Sequence, residues 1–250
     1  MLSETTEEKR EKAIDETLAE SFPASDPPAW TLGRDPHRLV RITPEASQTS
    51  EQEPRGTTHS EDAVPTLTML GIVGSLRRES YNRAALRAAQ QLIPTNTTLD
   101  IFDLATIPPF NQDDEQHLPA PVVEFKTRIR AADAILIATP EYNYSIPGVL
   151  KNAIDWASRP AGDSAWSTKP VAILGASVGK LGTARAQYHL RQVFVTLNMY
   201  PLNHPEVMIA NAASLFDREG NLTDKDTQDV IRRLLNELVQ WTRRLQRHYG

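Results

Sequence analysis

Residues able to hold an anion gather in one short run, Gly74-Ser75-Leu76-Arg77-Arg78-Glu79-Ser80-Tyr81-Asn82. An apolar stretch precedes it and an alanine-rich stretch follows, so the run joins a strand directly to a helix. Backbone N–H groups and the positive end of the helix dipole then converge on one spot. Ser75 and Ser80 add hydroxyls, Asn82 an amide and Arg77 a permanent charge, a set that suits a phosphate monoester. Ser80 also has the chemistry of an N-cap, with the arginines on the surface. The concentration of donors at a strand–helix junction favours the anion site. A P-loop needs G-x-x-x-x-G-K-[ST], and this run lacks the second glycine and the lysine. A dinucleotide fingerprint needs G-x-G-x-x-G, and Gly74 stands nearly alone. Further on, Gly175-Ala-Ser-Val-Gly179-Lys180-Leu181 fails as a P-loop on spacing, with Leu181 where Ser or Thr must hold magnesium.

Two further segments carry features of a binding site. Thr139-Pro140-Glu141-Tyr142-Asn143-Tyr144-Ser145-Ile146-Pro147-Gly148 sets two tyrosines between two prolines. Exposed aromatics on a rigid loop call for a ligand or a partner subunit to cover them. The segment suits the polar edge of an isoalloxazine ring, met by backbone N–H groups with tyrosine packing nearby. Glu141 has the chemistry of a general base, but that role is not assigned to it. Gly175, Gly179 and Gly182 frame a small, flexible loop that permits close backbone approach to a flat ring, with Ser177 adding one hydrogen bond. Lys151 and Asp155 read as an i,i+4 surface pair. His189 has no Ser, Cys or carboxylate partner legible from sequence and reads as a helix-surface or interface residue. No His, Asp and Glu cluster has metal-ligand spacing.

These segments need a frame. Apolar runs at Leu67–Val73, Leu99–Leu104, Ala134–Ala138 and Val171–Gly175, with a last one near Glu206–Ile209, predict five strands. Helical periodicity predicts helices over about Tyr81–Leu92, Val122–Ala132, Gly148–Ala157, Thr183–Leu197 and Asp224–His248. In the last, Val230, Leu234, Leu235, Leu238, Trp241 and Leu245 form one stripe. The run AILIA is apolar throughout, as in a strand buried on both faces. Such alternation predicts a parallel sheet covered on both sides. Ligands of such sheets bind at the carboxyl ends of the strands, where the three segments above all fall.

Composition narrows the class. The 250 residues contain no cysteine, which excludes disulfides, thiolate metal sites and a cysteine nucleophile, and fits a reducing compartment. No stretch approaches the roughly 20 apolar residues of a membrane helix. The N-terminus lacks the basic and apolar regions of a signal peptide, so the cytoplasm is expected. The net charge of −5 is uneven: residues 1–62 hold 14 Asp and Glu against 7 Lys and Arg, and the remainder 18 against 20. A nearly neutral body argues against nucleic-acid binding. Residues 1–65 are acidic and proline-rich. They are expected to form a largely disordered extension with one short amphipathic helix over 7–22. The stretch LAESFPASDPPAW, residues 18–30, resembles a short motif of small bacterial proteins and offers a docking element for an unknown partner. Residues 66–250 are expected to form the folded domain.

The quoted segments resemble the NADPH-dependent FMN reductase family, most closely its quinone and chromate reductase branch. The resemblance rests on GSLRRESYN at 74–82, TPEYNYSIPGVLKNAIDW at 139–156 and GTARAQYHLRQ at 182–192, and covers most of 66–215. It implies an α/β flavodoxin-like fold, a doubly wound five-stranded parallel sheet of order 2-1-3-4-5, with FMN held non-covalently. It implies phosphate contacts from Ser75, Arg77, Ser80, Tyr81 and Asn82. Pro140, Glu141, Tyr142, Asn143 and Tyr144 are to line the flavin, with Ser177 and Gly179 from the third loop. NADPH or NADH serves as donor, NADPH being mildly favoured by Lys180 and Arg185. A quinone, chromate, an azo dye or free flavin is the acceptor in a ping-pong cycle. The family's habits imply a homodimer or homotetramer, with Tyr142, Arg185 and Tyr188 near subunit contacts. Two other functions compete: a flavodoxin-type electron carrier, and a module that recruits a partner through its N-terminal motif.

Overall fold

In the computed structural model, which describes residues 66–249, the apolar run LTMLGIV becomes β1 (Leu67–Val73) and Ser80 opens α1 (Tyr81–Gln91). Then follow β2 (Thr97–Phe102), α2 (Ala120–Ala131), β3 (Ala134–Ala138), α3 (Gly148–Ala157), β4 (Pro170–Ala176) and α4 (Ala184–Thr196). Two short strands, β5 (Tyr200–Pro201) and β6 (Val207–Ile209), precede the long α5 (Lys225–Tyr249). The strands are parallel and ordered β2-β1-β3-β4-β5, the expected doubly wound order.

One element differs from expectation. The fifth sheet position is shared: Tyr200 and Pro201 pair with Pro170 and Val171, while Val207–Ile209 pair with Leu174–Ala176. Pro201 and Pro205 lack the N–H that a continuous strand needs, so the ladder breaks between them. A two-residue strand containing proline leaves no periodic signal, and sequence analysis registers only the second piece. The amphipathic helix expected over 7–22, the extension and the LAESFPASDPPAW stretch lie outside the described residues.

The period-2 alternation of the strands distributes their side chains to two cores. On one face Met69, Leu136 and Leu174 pack with Leu86 of α1 and with Ile231, Leu234, Leu235 and Leu238 of α5. On the other, Ile72, Ile135, Ile137 and Ile173 pack with Phe125 and Ile129 of α2, Leu150 and Ile154 of α3, and Leu190 and Phe194 of α4. Every residue of β3 is buried. At about 1.5–3 kcal/mol for each fully buried aliphatic side chain, this central strand anchors the sheet. α2 also buries Lys126, whose ammonium bonds the Arg159 carbonyl and the Asp163 carboxylate. Lys126 and Arg130, bonded to Asp163, hold its carboxyl below the usual carboxylate range.

Candidate functional site

The loops that leave β1, β3 and β4 meet at the carboxyl edge of the sheet and enclose a cleft of about 180 Å³. Ser80 is the N-cap of α1: its backbone is extended and its Oγ accepts the Arg83 N–H at 3.4 Å. The N–H groups of Tyr81 and Asn82, in the first turn, donate to no acceptor among the described residues. Ser75 Oγ accepts the Arg77 N–H at 3.3 Å and stands 3.4 Å from the Tyr142 hydroxyl, a long contact that spans the cleft. Arg77 folds back, its Nε donating to the Glu79 carbonyl at 3.0 Å and its guanidinium lying 5.7 Å from the Tyr81 ring centre. Hydroxyls, free amides and a positive helix end thus face one small space, the chemistry of an anion site.

Asn82 lines the cleft, and its side chain is engaged within the protein. Its side chain is buried; Nδ2 donates to the Ala176 carbonyl at 2.9 Å and Oδ1 accepts the Ala176 N–H at 2.8 Å. It is a strut that joins α1 to the end of β4, the two walls of the cleft. Ser177 and Gly179 are also tied inward, since Ser177 Oγ accepts the Gly179 N–H at 3.0 Å. The glycines of this loop mostly serve packing rather than a ring. A Cβ on Gly175 would lie 1.8 Å from Thr183 Oγ1 and 2.7 Å from the Thr139 carbonyl. Gly182, at φ +53, would set a Cβ 2.6 Å from the Met208 carbonyl. Only at Gly179 is there open space, with Ser177 Oγ at 3.4 Å as the nearest neighbour.

The loop after β3 closes as a tight hairpin turn. Tyr142 and Ser145 exchange both backbone hydrogen bonds at 3.0 Å, and Asn143 and Tyr144 between them have φ of 49° and 68°. Two successive left-handed residues are the signature of a type I′ turn. Asn accepts that conformation readily, but for a bulky residue such as Tyr144 it costs on the order of 1–3 kcal/mol. Tyr144 is nevertheless 68% exposed, and Tyr142 49%. Beside the turn, the Glu141 side chain, only 8% exposed, forms an ion pair with Arg185. Its Oε2 accepts the backbone N–H of Arg185 at 3.0 Å and of Ala186 at 3.3 Å. Thr183 caps α4 without a side-chain bond, so Glu141 supplies that cap from another loop. Burial opposes the charge on Glu141, but the Arg185 hydrogen bond, the Ala186 N–H and the guanidinium charge together hold its carboxyl below the usual carboxylate range.

Nine of the expected residues line this cleft: Ser75, Arg77, Ser80, Tyr81, Asn82, Pro140, Glu141, Tyr142 and Ser177, joined by Ala176 and Val178. Asn143, Tyr144 and Gly179 stand outside its lining. Sequence analysis gives His189 no partner, yet its Nδ1 lies 3.0 Å from Ser145 Oγ. No spacing rule links residues 44 apart; only the closure of the turn brings them together. The surface pair Lys151 and Asp155 forms as expected, at 2.7 Å.

The chain is similar to known proteins over most of the described residues. The family model for NADPH-dependent FMN reductase matches residues 67–214. An NAD(P)H-dependent FMN reductase of Pseudomonas aeruginosa is 53% identical over 180 residues, which cover 72% of this chain and 97% of that one. A 2-hydroxy-1,4-benzoquinone reductase of Burkholderia sp is 44% identical over 172 residues, covering 69% and 94%. Among solved structures, the flavoenzyme NAD(P)H:(acceptor) oxidoreductase FerB of Paracoccus denitrificans superposes with a TM-score of 0.67 at 34% identity, covering 71% of this chain and 98% of that one.

Proposed function

The chain belongs to the NADPH-dependent FMN reductase family, and from that premise we propose that it is an FMN-dependent NAD(P)H:quinone oxidoreductase. The observation that carries the proposal is the cleft itself: two serine hydroxyls and the unpaired amides of a helix N-terminus face one space beside a turn with exposed tyrosines. A cleft of about 180 Å³ is smaller than the roughly 300 Å³ at which pockets for whole cofactors begin. It suits the phosphate and ribityl end of FMN, with the ring against Tyr142, Tyr144 and Val178. Ser75 and Ser80 would donate to the phosphate together with the Tyr81 and Asn82 amides, and Arg77 would add charge. Asn82 would act through the cleft walls. Pro140, Glu141, Asn143, Ser177 and Gly179 shape the loops around the ring.

FMN held there would supply the hydride chemistry of a ping-pong reaction in which NAD(P)H, a quinone and one proton give NAD(P)⁺ and the hydroquinone. The residues of this chain bind and orient it and leave one face of its ring open. NADPH is the favoured donor. Lys180 is exposed and available to a 2′-phosphate, whereas Arg185 is engaged by Glu141. Quinones are the favoured acceptors, with chromate, azo dyes and free flavin as alternatives. The apolar side chains exposed on α4, Tyr188 and Val195, support assembly as a homodimer or homotetramer. No helix among the described residues is long and apolar enough to cross a membrane, and we assign the protein to the cytoplasm.

The test is spectroscopic. The full-length protein is reconstituted with FMN and mixed anaerobically with NADPH and, separately, NADH. Bleaching within a turnover time, reversed by a quinone, is expected. Bound flavin that neither nucleotide reduces would favour an electron carrier, and failure to bind FMN would reject both.

A further inference from the structure

Two side chains one helical turn apart on α4, Arg185 and His189, reach the same hairpin turn and have no role in the cleft. The Arg185 guanidinium sits 3.5 Å from the centre of the Tyr144 ring, and its Nε donates to Glu141 Oε1 at 2.5 Å. His189 Nδ1 meets Ser145 Oγ at 3.0 Å. The helix therefore holds the loop immediately before the turn, at its strained corner and at its end. A non-glycine residue at φ 68°, as Tyr144 is, persists only where its surroundings over-determine it. Here the surroundings include these two side chains, beside the Tyr142–Ser145 backbone pair. Within the turn, the N–H groups of Asn143 and Tyr144 donate to no acceptor among the described residues, so the clamp fixes a pair of unused donors.

We propose that Arg185 and His189 are positioning residues: from α4 they hold the 142–145 turn in the conformation that keeps the Asn143 and Tyr144 amides available to the flavin ring. This rests on the flavin reading above. A contribution to the stability of the single chain is a poor explanation for the Ser145–His189 contact, which is solvent-exposed within that chain. Exposed polar pairs add little to folding stability. What such a contact can do is select one turn geometry among several of similar energy.

The experiment uses the full-length protein with FMN. His189→Ala and Ser145→Ala are each expected to weaken FMN binding about three- to tenfold, the span of one ordinary hydrogen bond. Both should shift the visible circular dichroism and midpoint potential of the bound flavin, with thermal stability almost unchanged. The double variant should be no worse than either single one. His189→Asn, whose amide stands three bonds from Cα as Nδ1 does, should restore affinity and spectrum. Arg185→Lys should weaken binding about tenfold or more, because an ammonium cannot both fork onto a carboxylate and stack on a ring. The proposal is overturned alone if wild-type protein binds FMN and the alanine variants match it in affinity and spectrum, if their effects add in the double variant, or if they act only by lowering thermal stability. Wild-type protein that binds no FMN would overturn the flavin reading and this proposal together.

Discussion

Replacing Asn82 by alanine separates a strut from a ligand. In the structure the Asn82 amide satisfies both the N–H and the carbonyl of Ala176, at 2.8 and 2.9 Å, from a buried position. The truncation leaves two backbone groups without their partner, at about 1–3 kcal/mol each. Ala176 pairs with Ile209 on its other side, and some relaxation toward water is available, so the lower half of that span, about 2–4 kcal/mol in total, is expected. For a domain of this size, where each kcal/mol moves the midpoint by roughly 2–4 °C, thermal unfolding should fall by about 4–16 °C. Urea and thermal unfolding with and without FMN provide the assay. FMN at a hundredfold excess over its dissociation constant should return about 2.7 kcal/mol to the wild-type protein and less to the variant, whose cleft walls are no longer tied. Asn82→Asp sharpens the test. Its ionised carboxylate would face the Ala176 carbonyl, so its folded pKa should rise above the unfolded value. The stability it contributes is then present below the unfolded pKa and lost as pH rises through the folded one. A variant Asn82→Ala that unfolds within about 0.5 kcal/mol of wild type would refute the strut. If that same variant lost FMN, Asn82 would be a direct phosphate donor after all.

Three other outcomes test the site from different sides. Gly175→Ala should destabilise the fold by about 3 kcal/mol or more, since its Cβ would overlap Thr183 Oγ1 and the Thr139 carbonyl. Gly148→Ala, where a Cβ meets nothing within 4 Å, should stay within about 0.5 kcal/mol of wild type in denaturant unfolding. Ser75→Ala and Ser80→Ala should weaken FMN about tenfold or more, as loss of a hydrogen bond to a charged group does. They should barely affect riboflavin, which lacks the phosphate; equal losses for both ligands would remove these hydroxyls from the phosphate site. The lowered pKa of Glu141 means that its ionised form contributes stability present above the unfolded value and lost as pH falls toward the folded one. Glu141→Gln should therefore show a flatter stability profile below about pH 4.5, with residual slope from Asp163, Asp217 and Asp224, whose pKa values are also lowered. An unchanged acid limb would contradict the capping role.

What could be read from sequence depended on range. β1 and β3 fall on their expected residues because a run of apolar residues is a local signal. The strand order came from the resemblance, not from periodicity. The split fifth strand was invisible because two residues carry no period. In the site, residue types clustered along the chain (Ser75, Ser80, Glu141, Tyr142) were legible as lining. Partners were not. Asn82 with Ala176 spans 94 residues, and Glu141 with Arg185 spans 44. A side chain's partner depends on the three-dimensional closure of loops, so the bonds from Asn82 to Ala176 were not legible beside its reading as a donor to ligand. Gly175 and Gly182 looked like room for a ring and proved to be room for Thr183 and Met208.

The two edges of the sheet differ in how completely the chain satisfies itself. At the amino edge, Asp133 accepts from the Thr68 N–H and hydroxyl at 2.7 and 2.9 Å and from Gln246 at 3.0 Å. Lys169 donates to the Arg130 and Ala132 carbonyls, closing the end of α2. Burial lowers the Lys169 pKa against the opposing pull of Asp133, a cost accepted for tying down those carbonyls. At the carboxyl edge the same chain leaves first-turn amides and turn amides unpaired, holds a tyrosine in a left-handed conformation and exposes apolar side chains at Leu76, Tyr142, Tyr144 and Val178. A parallel sheet puts helix N-termini near this edge, so unpaired donors there are partly a consequence of the fold. The strain and the exposed rings are not, because neither follows from strand–helix alternation, and Gly in place of Tyr144 would relieve both. They persist beside a clamp made by Glu141, Arg185 and His189, which spends polar side chains on the shape of a turn rather than on burial. Under the proposed function that turn would have a ring to hold, and a flat ring carrying hydrogen-bond acceptors along its edge would match both the free amides and the uncovered tyrosines.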